Sequence, residues 1–186
     1  MALSINQIKS GLTIFLDGEV YMVVEYQHVK PGKGAAFVRT KLKNLKTEMV
    51  KEVTFKTDDK IEEAFIEERK LKYLYRSGEL FHFMDQENYE EVVISKDQLK
   101  DAIKFLKEEA DVSAFTYKDQ IMKVTLPNFI IFEIAETEPG IKGDTAKSGT
   151  KPAKIETGTT IQVPLFVSVG DRIKVDTRSG GYVERA

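Results

Sequence analysis

Short apolar runs with a period of two recur almost from end to end of this chain, interrupted by Gly, Pro, Asp and Asn. Such alternation sends successive side chains to opposite faces and predicts strands that bury one face only. Leu12 to Leu16 and Val20 to Tyr26 flank Asp17-Gly18, a two-residue hairpin signal. Ala35 to Lys43 alternates strictly, and Lys51 to Lys56 runs up to Thr57-Asp58-Asp59. Lys70 to Tyr75 and Leu80 to Met84 flank Arg76-Ser77-Gly78-Glu79, a second hairpin, and Glu91 to Ile94 adds a strand. Val112 to Tyr117, Ile121 to Thr125 and Phe129 to Ile134 continue the series. Ile155 to Thr157, Thr160 to Val167, Arg172 to Asp176 and Gly181 to Glu184 complete it. Many short strands at even spacing predict an all-β chain.

One stretch breaks the pattern. Ser95 followed three residues later by Gln98 is a capping-box signature, and Ile94 and Leu99 are placed as a hydrophobic staple. Leu99, Ile103 and Leu106 then recur at helical spacing, which predicts one short helix within Ser95 to Glu109. Its Lys100, Lys104 and Lys107 read as solvent-side charges. Breaks near Ala64 and Pro127 divide the chain into residues 1–64, 65–127 and 128–186, each near the size at which a separate core is marginal. No Gly/Ser-rich linker joins them, so neighbouring domains are expected to pack directly.

Composition narrows the chemistry. Of 186 residues, 41% are hydrophobic, an ordinary globular content. With 28 Lys and Arg against 30 Asp and Glu, the formal charge is −2, so contact with nucleic acid has to be local rather than a product of bulk charge. The absence of cysteine removes disulfides and thiolate chemistry, and two histidines, His28 and His82, are too few for a usual histidine metal cluster. No metal or cofactor site is expected. No apolar run approaches the ~20 residues of a membrane span and no basic leader opens the chain, which points to the cytoplasm. A Walker loop, a GxGxxG after a strand, a nucleophile elbow and an HExxH helix are all missing, and the paired glutamates read as surface charge. Catalysis is not inferred.

Charge is segregated in one place. From His28 to Lys46 there are six cations, Lys30, Lys33, Arg39, Lys41, Lys43 and Lys46, and no acid. His28-Val29-Lys30-Pro31-Gly32-Lys33-Gly34 is a Pro/Gly turn between two strands, in which Pro31 presets φ while Gly32 and Gly34 permit positive φ. Lys33 is therefore displayed at a hairpin tip. On the strand that follows, Phe37, Arg39, Lys41 and Lys43 share one face and Ala36, Val38, Thr40 and Leu42 the other. A cationic row of this kind suits a phosphate backbone, and it is equally the pattern of a solvated strand face. The residues alone leave open a single-stranded nucleic-acid binder and a small-substrate enzyme.

Motifs along the whole length bear on that choice. Gln27 to Arg39, Leu126-Pro127-Asn128-Phe129, Glu136-Thr137-Glu138-Pro139-Gly140, Gly143-Asp144-Thr145, Gly158 to Phe166 and Asp176 to Arg185 together resemble the bacterial elongation factor P family. The resemblance implies an N-terminal SH3-like barrel followed by two OB-fold barrels in an L-shaped arrangement. It implies a monomeric, non-enzymatic partner of the 70S ribosome that binds between the peptidyl and exit sites and promotes peptide-bond formation at consecutive prolines. In that picture Lys33 reaches the end of peptidyl-tRNA and is the candidate substrate of a lysine-modifying enzyme, with Lys30, Pro31, Gly32 and Gly34 as its loop. Arg39, Lys41 and Lys43 contact tRNA or rRNA phosphates, Gly143, Asp144 and Thr145 approach the exit-site codon, and Tyr182 and Arg185 meet tRNA near the small subunit.

Overall fold

A computed structural model describes residues 2–139 and 149–186. It is all-β, with three sheets among the described residues. The first contains β1 (Ala2–Leu3), β2 (Thr13–Leu16), β3 (Glu19–Val29), β4 (Phe37–Asn44), β5 (Val50–Lys56) and β6 (Ile61–Glu63), in the order β1-β6-β2-β3-β4-β5. The second contains β7 (Glu67–Ser77), β8 (Leu80–Asp85), β9 (Glu91–Ser95), β10 (Asp111–Tyr117) and β11 (Gln120–Thr125), ordered β11-β10-β7-β8-β9. The third contains β12 (Phe129–Thr137), β13 (Thr150–Ile155), β14 (Thr160–Pro164), β15 (Arg172–Asp176) and β16 (Gly181–Arg185), ordered β14-β13-β12-β15-β16. By compactness the chain forms two units, Met1–Glu68 with Phe115–Lys123, and Arg69–Ala114 with Val124–Ala186.

The hairpin signals hold for physical reasons. Asp17 and Gly18 both take positive φ, 53° and 84°, the pairing that matches strand twist across a two-residue loop. In the first unit Ile5, Ile8, Ile14, Tyr21, Val23, Val38, Leu42, Phe55 and Ile61 form the core. A second cluster of Val20, Ala64 and Tyr117, with Phe15, Ile66 and Met122 against it, ties residues 115–123 into this unit, and the Phe15 and Tyr117 rings stack at 5.6 Å.

The structure corrects the expected helix. Ser95 and Gln98 do form the capping box, but only Lys96–Leu99 (α1) is α-helical, and Lys100–Phe105 is a 3₁₀ turn. Lys100, at φ 51° and ψ −126°, lies outside the helical basin and re-aims the chain. Leu99 and Leu106 are buried as expected, but Phe105 is buried in place of Ile103 and joins Phe132, Ile134, Ile155 and Ile173 in the core of the third sheet. Lys107 is likewise no plain solvent-side charge: its Nζ donates to the Ile131 carbonyl at 2.7 Å and pairs with Glu156 at 3.2 Å.

Strand β13 also differs from expectation, beginning at Thr150 rather than Ile155. Lys151, Ala153 and Ile155 point inward, so a lysine and a proline-interrupted run hid the alternation. The buried Lys151 is satisfied by donating from Nζ to the Glu138 carbonyl at 2.6 Å.

Candidate nucleic-acid interface

Strands β3 and β4 pair from Tyr21 opposite Asn44 to Val29 opposite Phe37, and residues 30–36 carry the reversal beyond the last pair. Lys30, Pro31, Gly32, Lys33, Gly34 and Ala35 are all exposed, so Lys33 stands at the apex as the sequence predicts. Gly34 takes φ +108°, where an L side chain is strained, and a Cβ there would sit 3.9 Å from Pro31 Cγ. Gly32 does not take positive φ, which corrects the expectation that both glycines do. A Cβ on Gly32 would meet nothing within 4 Å. The return of the tip is pinned where Thr57 Oγ1 donates to the Ala36 carbonyl at 3.0 Å.

Core packing aims the cationic row. Val38 and Leu42 are fully buried and Thr40 nearly so, and Thr40 Oγ1 donates to the Val53 carbonyl at 2.9 Å. Because the side-chain period is two, this burial fixes Phe37, Arg39, Lys41 and Lys43 on the outer face. A slip of one residue would bury three cations.

Register then divides the row. Lys41 lies between Glu25 on β3 and Glu52 on β5 and pairs with Glu25 at 2.7 Å. The hydrogen bond from Lys41 to the Glu25 carboxylate holds the lysine pKa above its ordinary value, and Glu52 adds to the effect. Lys43 is 3.6 Å from Glu48, which Lys123 grips at 2.5 Å. The Glu48 carboxyl is held below its ordinary value, chiefly by Lys123. Arg39 differs: its register neighbours are Gln27 and Thr54, and its guanidinium lies 5.6 Å from the Phe37 ring centroid.

The last outward position of β5 is Lys56, opposite Phe37. Its backbone N–H donates to Asp59 Oδ2 at 2.7 Å, while the side chain is exposed. Sequence reasoning missed this residue. Alternation in β5 puts Glu52, Thr54 and Lys56 on one face, but only the pairing across the β4–β5 connection shows that Lys56 extends the row headed by Arg39.

Elsewhere the expected site residues are more occupied. Tyr182 is half-buried against the core of the third sheet, a packing role. Arg185 Nη2 contacts Asp171 Oδ1 at 2.7 Å, leaving the side chain about 60% exposed. Gly143, Asp144 and Thr145 lie outside the described residues. Among the described residues no helix is long and apolar enough to cross a membrane.

Comparison with known proteins covers nearly the whole chain. Residues 4–61 match the model of the elongation factor P KOW-like domain, residues 66–124 that of the elongation factor P OB domain, and residues 122–185 that of the elongation factor P C-terminal region. Elongation factor P of Pelotomaculum thermopropionicum is 52% identical over 183 residues, covering 98% of this chain and 99% of that one. Its counterpart in Clostridioides difficile is 50% identical over 182 residues, covering 98% of each. Among solved structures, eukaryotic translation initiation factor 5A from Methanococcus jannaschii superposes with a TM-score of 0.57 at 25% identity, over 68% of this chain and 92% of that one.

Proposed function

The chain belongs to the elongation factor P family, translation factors rather than enzymes, and from that premise we propose that it binds the ribosome between the peptidyl and exit sites and promotes peptide-bond formation at consecutive prolines. The observation that carries this reading is Lys33, exposed at the apex of an arm that bears cations on its outer face and buried apolar residues on its inner one. Proline reacts as a conformationally restricted secondary amine. Holding the end of peptidyl-tRNA in a productive geometry lowers the barrier without any acid–base group from the factor, since orientation alone is worth several kcal/mol of about 7 to 11 available.

In this reading the chain is a cytoplasmic monomer with domains at residues 1–64, 65–127 and 128–186. Arg39 supplies the strongest phosphate contact, while Lys41 and Lys43 reach phosphate only by giving up Glu25 and Glu48. Arg185 meets tRNA, and so does Tyr182 through the part of its side chain left outside the core. A lysine-modifying enzyme can extend Lys33, because the tip is exposed on every residue from Lys30 to Ala35 and an adduct displaces no core group.

Reconstituted translation of proline-run and proline-free messages with saturating wild-type or Lys33→Ala protein tests the proposal. Lys33→Ala is expected to lose most rescue of the proline run while keeping most ribosome affinity, the pattern of a group acting on the transition state. Equal rescue by both proteins would remove Lys33 from the mechanism.

A further inference from the structure

The outer face of the β3-β4-β5 sheet is graded along its length. At its base, Lys41 and Lys43 are each neutralised by a glutamate. Toward the tip, Arg39 and Lys56 have no carboxylate of the described residues within ion-pair distance, and neither do Lys30 and Lys33 beyond them. Asp58 and Asp59 follow Lys56, but Asp59 turns an oxygen onto the Lys56 backbone N–H. Arg39 lies against the Phe37 ring, which stands opposite Lys56 in the register. At this cation–π distance the guanidinium spends no N–H group on the ring, so its donors stay available to an anion.

We propose that Arg39 and Lys56, the neighbours of Phe37 along β4 and across on β5, form a seat for an RNA backbone phosphate, and that Lys56 is a positioning residue that sets the angle of the arm. The inference rests on the reading that the arm meets ribosome-bound RNA. The seat combines a planar fork with a mobile point charge, which suits the tetrahedral oxygens of one phosphate. Its cations also continue into Lys30 and Lys33, and a line of charge matches a polyanionic backbone better than the scattered carboxylates of a protein surface. Lys56 is held in place from behind. It ends β5, and the neighbouring Thr57 hydroxyl ties that end to the returning tip at Ala36. A phosphate bound by Lys56 therefore bears directly on the segment that orients Lys33.

The test is binding to purified bacterial ribosomes carrying peptidyl-tRNA, measured over a range of salt for wild type, Arg39→Ala, Lys56→Ala, Lys56→Arg and Lys41→Ala. Each lost phosphate contact lowers the slope of log K against log salt by about 0.7 to 0.9. That drop is expected for Arg39→Ala and for Lys56→Ala, with recovery in Lys56→Arg and less than half the drop in Lys41→Ala. A wild-type slope in Lys56→Ala would overturn the seat, and so would a drop in Lys41→Ala as large as that in Arg39→Ala. Binding without salt dependence in the wild type, or an unchanged slope in Arg39→Ala, would instead remove the underlying reading of the arm. Lys56 is exposed, so its variants are expected to melt with the wild type. Because the chain has no cysteine, Lys56→Cys carries a tethered iron chelate at one place only. Scission of tRNA or rRNA next to the tether supports an RNA partner, and cleavage confined to ribosomal protein overturns it.

Discussion

Arg178 grips Asp176 with both sides of its guanidinium, Nε to Oδ1 at 2.9 Å and Nη2 to Oδ2 at 2.6 Å, at the turn between β15 and β16. The backbone N–H of Arg178 also donates to Asp176 Oδ1 at 3.0 Å. Together these bonds stabilise the carboxylate form and lower the Asp176 pKa from 3.8 to about 2, with the guanidinium hydrogen bonds the largest cause.

A pH dependence follows with a definite sign. The folded-state pKa lies below the ordinary value of 3.8, so the stabilisation is fully present above that value and is lost as pH falls through about 2. Asp176→Asn is expected to be less stable than wild type near neutral pH, with the difference closing between those two values. Denaturant midpoints taken across that range check it. A gap that persists undiminished at the acid end would assign the loss to packing instead.

The re-aimed segment after α1 should carry much of the third sheet's stability. Phe105 is 6% exposed and its ring lies 6.0 Å from that of Phe132. Phe105→Ala is expected to cost about 3–5 kcal/mol, in the range for a truncated core aromatic. Amide exchange in β12 should accelerate in step with the loss, whereas exchange in β3 and β4 should stay at its wild-type rate.

The two tip glycines should behave differently. Gly34→Ala forces a side chain to adopt φ near +108°, at a local cost of roughly 1–3 kcal/mol. The exposed tip relieves it by rearranging, so proline-run activity falls while the melting temperature holds. Gly32→Ala meets open space and keeps the wild-type tip conformation. Amide chemical shifts of residues 30–36 distinguish the two outcomes. Matching tip shifts in both variants would show that the positive φ of Gly34 does not shape the arm.

How far the sequence carried depends on the kind of interaction. Strand alternation, the Asp17-Gly18 reversal, the Ser95–Gln98 capping box and the display of Lys33 follow from contacts within a few residues, and all were legible. The helix after Ser95 was overestimated because the spacing of Leu99, Ile103 and Leu106 satisfies a helix, yet burying Phe105 in another sheet releases more free energy than continuing the turn. Strand β13 was missed at Thr150–Lys154 because its inward lysine is tolerable only with the Glu138 carbonyl to receive it.

The cationic face divides in the same way. The sequence by itself determined that Arg39, Lys41 and Lys43 share a side, since a period of two is a property of one strand. Tertiary structure decided which of them carry uncompensated charge. Charge compensation acts across strands over a few ångströms, and the register that brings Glu25 to Lys41 and leaves Arg39 beside Gln27 and Thr54 is set by distant core residues. The same pairing, absent from any local pattern, brings Lys56 beside Phe37 and completes the tip end of the row.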